Sequence, residues 1–128
     1  MLSYPAELKY VKTHEYVRSE SDGVAVIGIT AFAADQLGDV TYVELPKVGV
    51  ELKKEAKFGI IESVKSVSDL FMPISGTVVA VNDRLSSEPE LVNSDCYGEG
   101  WMIKVKVSNN SELKDALSAD QYKDFVVE

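Results

Sequence analysis

One cysteine and one histidine among 128 residues remove several classes of chemistry at the outset. Cys96 has no partner for an intramolecular disulfide, and no Cys/His cluster has zinc-ligand spacing, since His14 stands alone. The chain therefore suits a reducing compartment. No apolar run approaches membrane-spanning length, and Met1-Leu2-Ser3-Tyr4-Pro5 offers neither a basic nor an apolar leader region. Neither secretion nor membrane insertion is expected. A bacterial cytoplasmic protein fits these features, and a mature organellar matrix protein would look the same. Basic residues are also scarce, 13 against 21 acidic ones, and the net charge of −8 argues against nucleic acid as a partner. Acidity suits docking into basic clefts of other proteins and equally suits simple solubility. No Gly-rich strand-to-helix loop is present to cradle a phosphate, and no nucleophile, base and orienting group form a set.

What the chain does have is a succession of short extended segments in a length that one domain can bury. Leu8 to Ser19 alternates loosely, as one or two strands, before the turn residues Ser21-Asp22-Gly23. Val24 to Ile29 is a β-branched run. Thr30 then caps a short helix over residues 31–37, stopped by Gly38, with Phe32 and Leu37 as its core anchors. From Asp39 to Leu45 strict alternation puts Val40, Tyr42 and Glu44 on one face and Thr41, Val43 and Leu45 on the other. A turn and a short extended piece over residues 48–54 lead to paired apolar runs between Phe58 and Phe71. Residues 72–76 punctuate the chain, residues 77–82 resume as strand, and residues 83–100 form a long loop with at most a helical turn. Residues 101–107 alternate lysine with apolar side chains, as a half-exposed strand does. Asn110 or Ser111 can cap a helix from Glu112 to Leu117. Ser118 to Gln121 matches a capping box opening a last helix with Tyr122, Phe125 and Val126. Seven or so strands, one early helix and late helices predict a mainly β, flattened barrel or sandwich over residues 1–128, with 109–128 as a helical C-terminal extension.

Within the paired runs, Val64 and Val67 bracket Lys65-Ser66 as a two-residue polar corner. Asn-Gly and Asp-Gly are missing there, so the turn avoids positive φ and holds Lys65 at its tip. Taken alone, Val-Lys-Ser-Val reads as a solvated surface lysine.

Many short motifs give Lys65 a sharper reading. Leu8-Lys9-Tyr10 with His14-Glu15-Tyr16-Val17, Gly28-Ile29-Thr30, Gln36-Leu37-Gly38-Asp39, Val43-Glu44-Leu45-Pro46, Glu62-Ser63-Val64-Lys65, Ser68-Asp69, Pro73-Ile74-Ser75-Gly76, Val81-Asn82, and Pro89-Glu90-Leu91-Val92-Asn93 with Tyr97-Gly98-Glu99-Gly100-Trp101 resemble, in order, the H protein of the glycine cleavage system. Departures are mild: Tyr16 replaces a more usual tryptophan, and Cys96 a common proline. The methionines that flank the lysine of biotinyl domains are absent, Val64 and Ser66 standing there instead. The Asp and Ala neighbours usual in lipoyl domains of 2-oxoacid dehydrogenases are absent too.

The resemblance implies a lipoyl-type β-sandwich acting as a monomeric, non-catalytic carrier, with lipoate amide-linked to Lys65. It implies that the arm accepts an aminomethyl group from the pyridoxal-phosphate glycine decarboxylase. The arm then delivers the one-carbon unit to a tetrahydrofolate-dependent aminomethyltransferase and is reoxidised by dihydrolipoamide dehydrogenase. A lipoyl or octanoyl ligase or transferase would load it. Glu62 and Asp69 stand either as solubilising carboxylates or as recognition points for that ligase. Glu15, with Asp69 as helper, is expected to hold the protonated amine of the loaded arm. A lipoyl or octanoyl relay through the same Lys65, or an unmodified relative of the same fold, are the competing functions. Trp101 and Tyr97 read as packing residues, and Cys96 as an incidental small one.

Overall fold

The computed structural model describes residues 2–126; Met1, Val127 and Glu128, the ends of the anticipated domain and of its C-terminal extension, lie outside them. Among the described residues nine strands, paired antiparallel, form two sheets. Six of them, β1 (Lys9–Tyr10), β2 (Glu15–Ser19), β3 (Val24–Ile29), β5 (Glu51–Leu52), β8 (Gly76–Val81) and β9 (Ile103–Val107), pair in the order β1-β2-β3-β9-β8-β5. The other three, β4 (Val40–Glu44), β6 (Lys57–Ser63) and β7 (Val67–Phe71), pair as β4-β6-β7. The count exceeds the seven or so expected; β1 and β5, two residues each, fall where one or two strands and a short extended piece were expected.

Both sheets contribute to one apolar core, with Ile27, Ile103 and Val105 from the larger and Ile61 and Leu70 from the smaller. Each fully buried Ile or Leu contributes about 2 kcal/mol relative to exposure. Strand β4 departs from the strict alternation expected of it. Its register shifts between Val40 and Tyr42, so the extra residue lets Val40 and Val43 both enter the core while Tyr42 and Glu44 face solvent.

Helix α1 (Ala31–Leu37) begins as expected, with the Thr30 side chain accepting from the Ala33 N–H, and ends at Gly38. Its buried residues are Ala34 and Leu37 rather than Phe32 and Leu37. Phe32 is half-buried, lines a surface cavity and packs against a second apolar cluster rather than the main core. The long loop holds a 3₁₀ turn (Asp83–Ser86) and α2 (Leu91–Ser94). Between Asn110 and Asp115 the chain forms a 3₁₀ helix, not an α-helix, and Asn109 caps it in place of Asn110 or Ser111.

Helix α3 (Ala119–Phe125) opens with the capping box of Ser118 and Gln121. It packs on β1 through a second cluster in which Tyr10 and Tyr122 stack with centroids 4.9 Å apart. The Tyr122 hydroxyl shares hydrogen bonds with His14 Nδ1 at 2.6 Å and Thr30 Oγ1 at 2.8 Å. The C-terminal helix thereby fixes both the β1–β2 turn and the start of α1.

Candidate functional site

The β6–β7 hairpin carries the candidate site. Its last strand pair is Glu62 with Val67, and the Ser63 N–H donates to the Ser66 carbonyl at 2.8 Å. The corner is thus Val64-Lys65, one residue earlier than the Lys65-Ser66 corner expected from the bracketing valines. Serine chemistry explains the shift: Ser63 Oγ accepts from the N–H groups of both Lys65 and Ser66, each at 3.2 Å, closing the turn from within. None of the turn residues has positive φ, as the missing Asn-Gly predicted. The tip is also tied sideways, since the Val64 N–H donates to the Asp39 carbonyl at 3.0 Å.

Lys65 is exposed and, among the described residues, enters no ion pair. Its side chain crosses Gly38, where a Cβ would stand 3.1 Å from Lys65 Cε and 3.8 Å from Nζ. Gly38 also has φ of 76° with ψ of −157°, a backbone region open essentially to glycine alone.

Beside the hairpin lies an open cavity of about 390 Å³. Ser66, Ser68, Asp69 and Leu70 line it from the hairpin, Phe32, Ala33 and Leu37 from α1, and Thr13, His14 and Glu15 from the β1–β2 turn. Glu15 is only 1 % exposed. One of its carboxyl oxygens accepts from Thr13 Oγ1, and the other accepts from the Phe71 N–H at 3.1 Å. Burial pushes its pKa from 4.5 up to about 7, against the opposing pull of those two hydrogen bonds and one from its own backbone. A buried carboxyl whose pKa is raised by burial, beside an open cavity, can take a cation and give up its proton in exchange.

The residues singled out in the sequence fall into two groups. Asp69 and Glu15 line one cavity although they are far apart in sequence, whereas Lys65 is not among its lining residues and lies over Gly38 at the tip of the hairpin whose Ser66 reaches the cavity. Asp69 lines the cavity but also pairs with Lys57 at 3.3 Å. Glu62 does not line it; the side chain sits in the strand row next to the tip, half-buried, and its carbonyl accepts from Thr41 Oγ1 at 3.3 Å. Sequence reasoning missed Ser66 and Ser68, whose spacing of two with Leu70 marks one face of β7, and Thr13, which no pattern marked. Tyr97 does serve as packing: its hydroxyl donates to the Ser3 carbonyl and accepts from the Ala31 N–H. Cys96 is buried and its thiol is pushed up to about 12 by that burial, the form least suited to redox chemistry. No described helix is long and apolar enough to cross a membrane.

Comparison with known proteins meets this geometry from the outside. The family model for the glycine cleavage H-protein matches residues 8–128. A glycine cleavage system H protein from Symbiobacterium thermophilum is 55% identical over 128 residues, covering 100% of this chain and 99% of the relative. A probable glycine cleavage system H protein from Haloarcula marismortui is 55% identical over 122 residues, 95% of each chain. Among solved structures, that of a glycine cleavage system H protein from Mycobacterium marinum superposes with a TM-score of 0.87 at 33% identity, covering 95% of this chain and 98% of the other. The mainly β, two-sheet architecture expected from the strand pattern is shared with that neighbour, and it is the lipoyl-type sandwich that the resemblance implied. Matched along nearly its whole length in sequence and in fold, the chain belongs to the glycine cleavage H-protein family, carrier components of that system rather than catalysts.

Proposed function

We propose that the chain carries its cargo on a lipoyl group amide-linked to Lys65 Nζ, with Glu15 as the residue that holds the cargo's amine. The observation behind this reading is an exposed lysine with no ion pair among the described residues, at the tip of a braced hairpin, beside a cavity that contains a buried carboxyl group. Acylation removes the ammonium charge, and at Lys65 no ion pair is lost with it. The attached group would supply a reversible dithiol–disulfide couple.

This chain's own residues do the rest. Ser63 and Asp39 hold the turn so that Lys65 projects in a fixed direction. Ser66 at the turn and Ser68 and Leu70 along β7, with Phe32 and Leu37 of α1, offer a mixed polar and apolar lining suited to a long chain of methylenes with a polar end. Glu15, when ionised, accepts a charge-assisted hydrogen bond from a protonated amine and limits its loss as ammonia. Asp69 is a second carboxylate on the same lining, tempered by Lys57. Glu62 and Asp69 serve as recognition points for the ligase or transferase that loads Lys65. Partners on this reading are glycine decarboxylase, the aminomethyltransferase and dihydrolipoamide dehydrogenase, met by a monomer in the cytoplasm.

Intact-mass measurement after incubation with a lipoate–protein ligase, ATP and lipoate tests the attachment. A lipoyl increment mapping to Lys65 and lost in Lys65→Arg is expected. An unmodified chain, or modification elsewhere, overturns the assignment.

A further inference from the structure

The solvent face of the β4-β6-β7 sheet carries a pattern that, Asp69 apart, neither folding nor cargo holding uses. Cross-strand partners share a face, and residues two apart on a strand return to it. Register therefore sets Tyr42, Glu62 and Val67 in one row and Glu44, Ile60 and Asp69 in the next. Apolar and acidic side chains alternate along both rows and between them, giving a checkerboard of three apolar groups and three carboxylates. Tyr42 is 45 % and Val67 62 % exposed, although the opposite face of the same strands, with Val43, Ile61 and Leu70, fills the core. Scattered exposed apolar residues are ordinary. Here they alternate in register with carboxylates, on strands whose turn is Lys65.

We infer that this checkerboard is the docking face for the enzyme that acylates Lys65, and that this enzyme meets it with apolar groups flanked by arginine or lysine. The inference rests on Lys65 being the attachment lysine. It widens recognition from Glu62 and Asp69 to the whole face, adding Tyr42, Glu44, Ile60 and Val67. Such an enzyme must select one lysine among many in the chain, so it has to read structure fixed relative to Lys65. The two strands that end in the turn provide it. Charge sets the chemistry of the partner. Glu44 and Glu62 enter no ion pair among the described residues, and Lys57 beside Asp69 is the only cation paired with the face. A second copy of this chain would bring like charges together and fits less well.

The test measures the unmodified protein as substrate of a lipoate–protein ligase with ATP and lipoate, following Lys65 modification by intact mass. Tyr42→Ser and Glu44→Lys are compared with Val79→Ser, which alters a residue of equal 45 % exposure on β8 of the other sheet. All three positions are exposed, and thermal melts establish that each variant is folded. Expected is a rise in KM of roughly tenfold for Tyr42→Ser and Glu44→Lys with kcat within about twofold, the pattern of a lost interface contact, and no change for Val79→Ser. Wild-type kinetics in both face variants, or a fall confined to kcat, overturns the docking face while leaving Lys65 as the attachment site. Absence of modification at Lys65 in the wild type overturns the attachment reading itself, and the docking face with it.

Discussion

Glu15 accepts the Phe71 N–H at 3.1 Å, joining the start of β2 to the end of β7 across 56 residues. One carboxyl group thus braces the hairpin strand and lines the cavity beside it, so its protonation bears both on stability and on the charge of the cavity wall.

Stability should depend on pH through Glu15. Its folded pKa lies above its ordinary value, so the folded chain binds that proton more tightly than the unfolded one. The contribution of Glu15 is therefore most favourable below about pH 4.5, declines as pH rises, and levels off above about 7. At 1.36 kcal/mol per pKa unit the full span is on the order of 3 kcal/mol. Urea unfolding of wild type and Glu15→Gln at intervals from pH 4 to 8 should show their difference drifting in this direction. A flat difference would contradict the raised pKa.

Cargo lifetime should depend on the same residue. Aminomethyl-loaded protein carrying Glu15→Ala should release ammonia faster than wild type, by roughly tenfold if one charge-assisted hydrogen bond is lost. Decay followed by mass spectrometry gives the rate, and an unchanged rate removes Glu15 from the cargo site.

Ser63→Ala removes the shared acceptor of the Lys65 and Ser66 N–H groups. Because the tip is exposed and water can substitute, the global cost should be about 1 kcal/mol or less. Amide exchange at Lys65 and Ser66 should nevertheless accelerate, and NMR-detected exchange with unaltered protection would show that the serine does not close the turn.

Gly38→Ala should destabilise by about 1–3 kcal/mol, since alanine is strained in that backbone region, and its Cβ would crowd the Lys65 methylenes. A denaturant midpoint equal to wild type would contradict the strain.

Much of the frame was legible because local rules and packing agree. Thr30 and Gly38 bound α1 as cap and stop, and Ser118 with Gln121 opens α3. Where they compete, the reading failed: the bulge at Thr41 reverses the faces of half of β4, and serine side-chain bonding moves the corner onto Val64-Lys65. The reading of Lys65 as an attachment point rests on the ordered motifs, since an exposed lysine between valines is unremarkable by pattern. Glu15 was named the same way, but its burial and its bond to Phe71 are products of tertiary folding that no local spacing records. Asn109 displaced Asn110 and Ser111 as a cap because three adjacent polar residues offer equivalent caps until the backbone chooses.

Carriage of glycine-derived cargo on Lys65 is tested most directly by reconstitution with glycine decarboxylase. Lipoylated wild-type protein should support release of CO2 from labelled glycine, and Lys65→Arg treated identically with ligase and lipoate should support none above background. Equal release with Lys65→Arg would contradict the account.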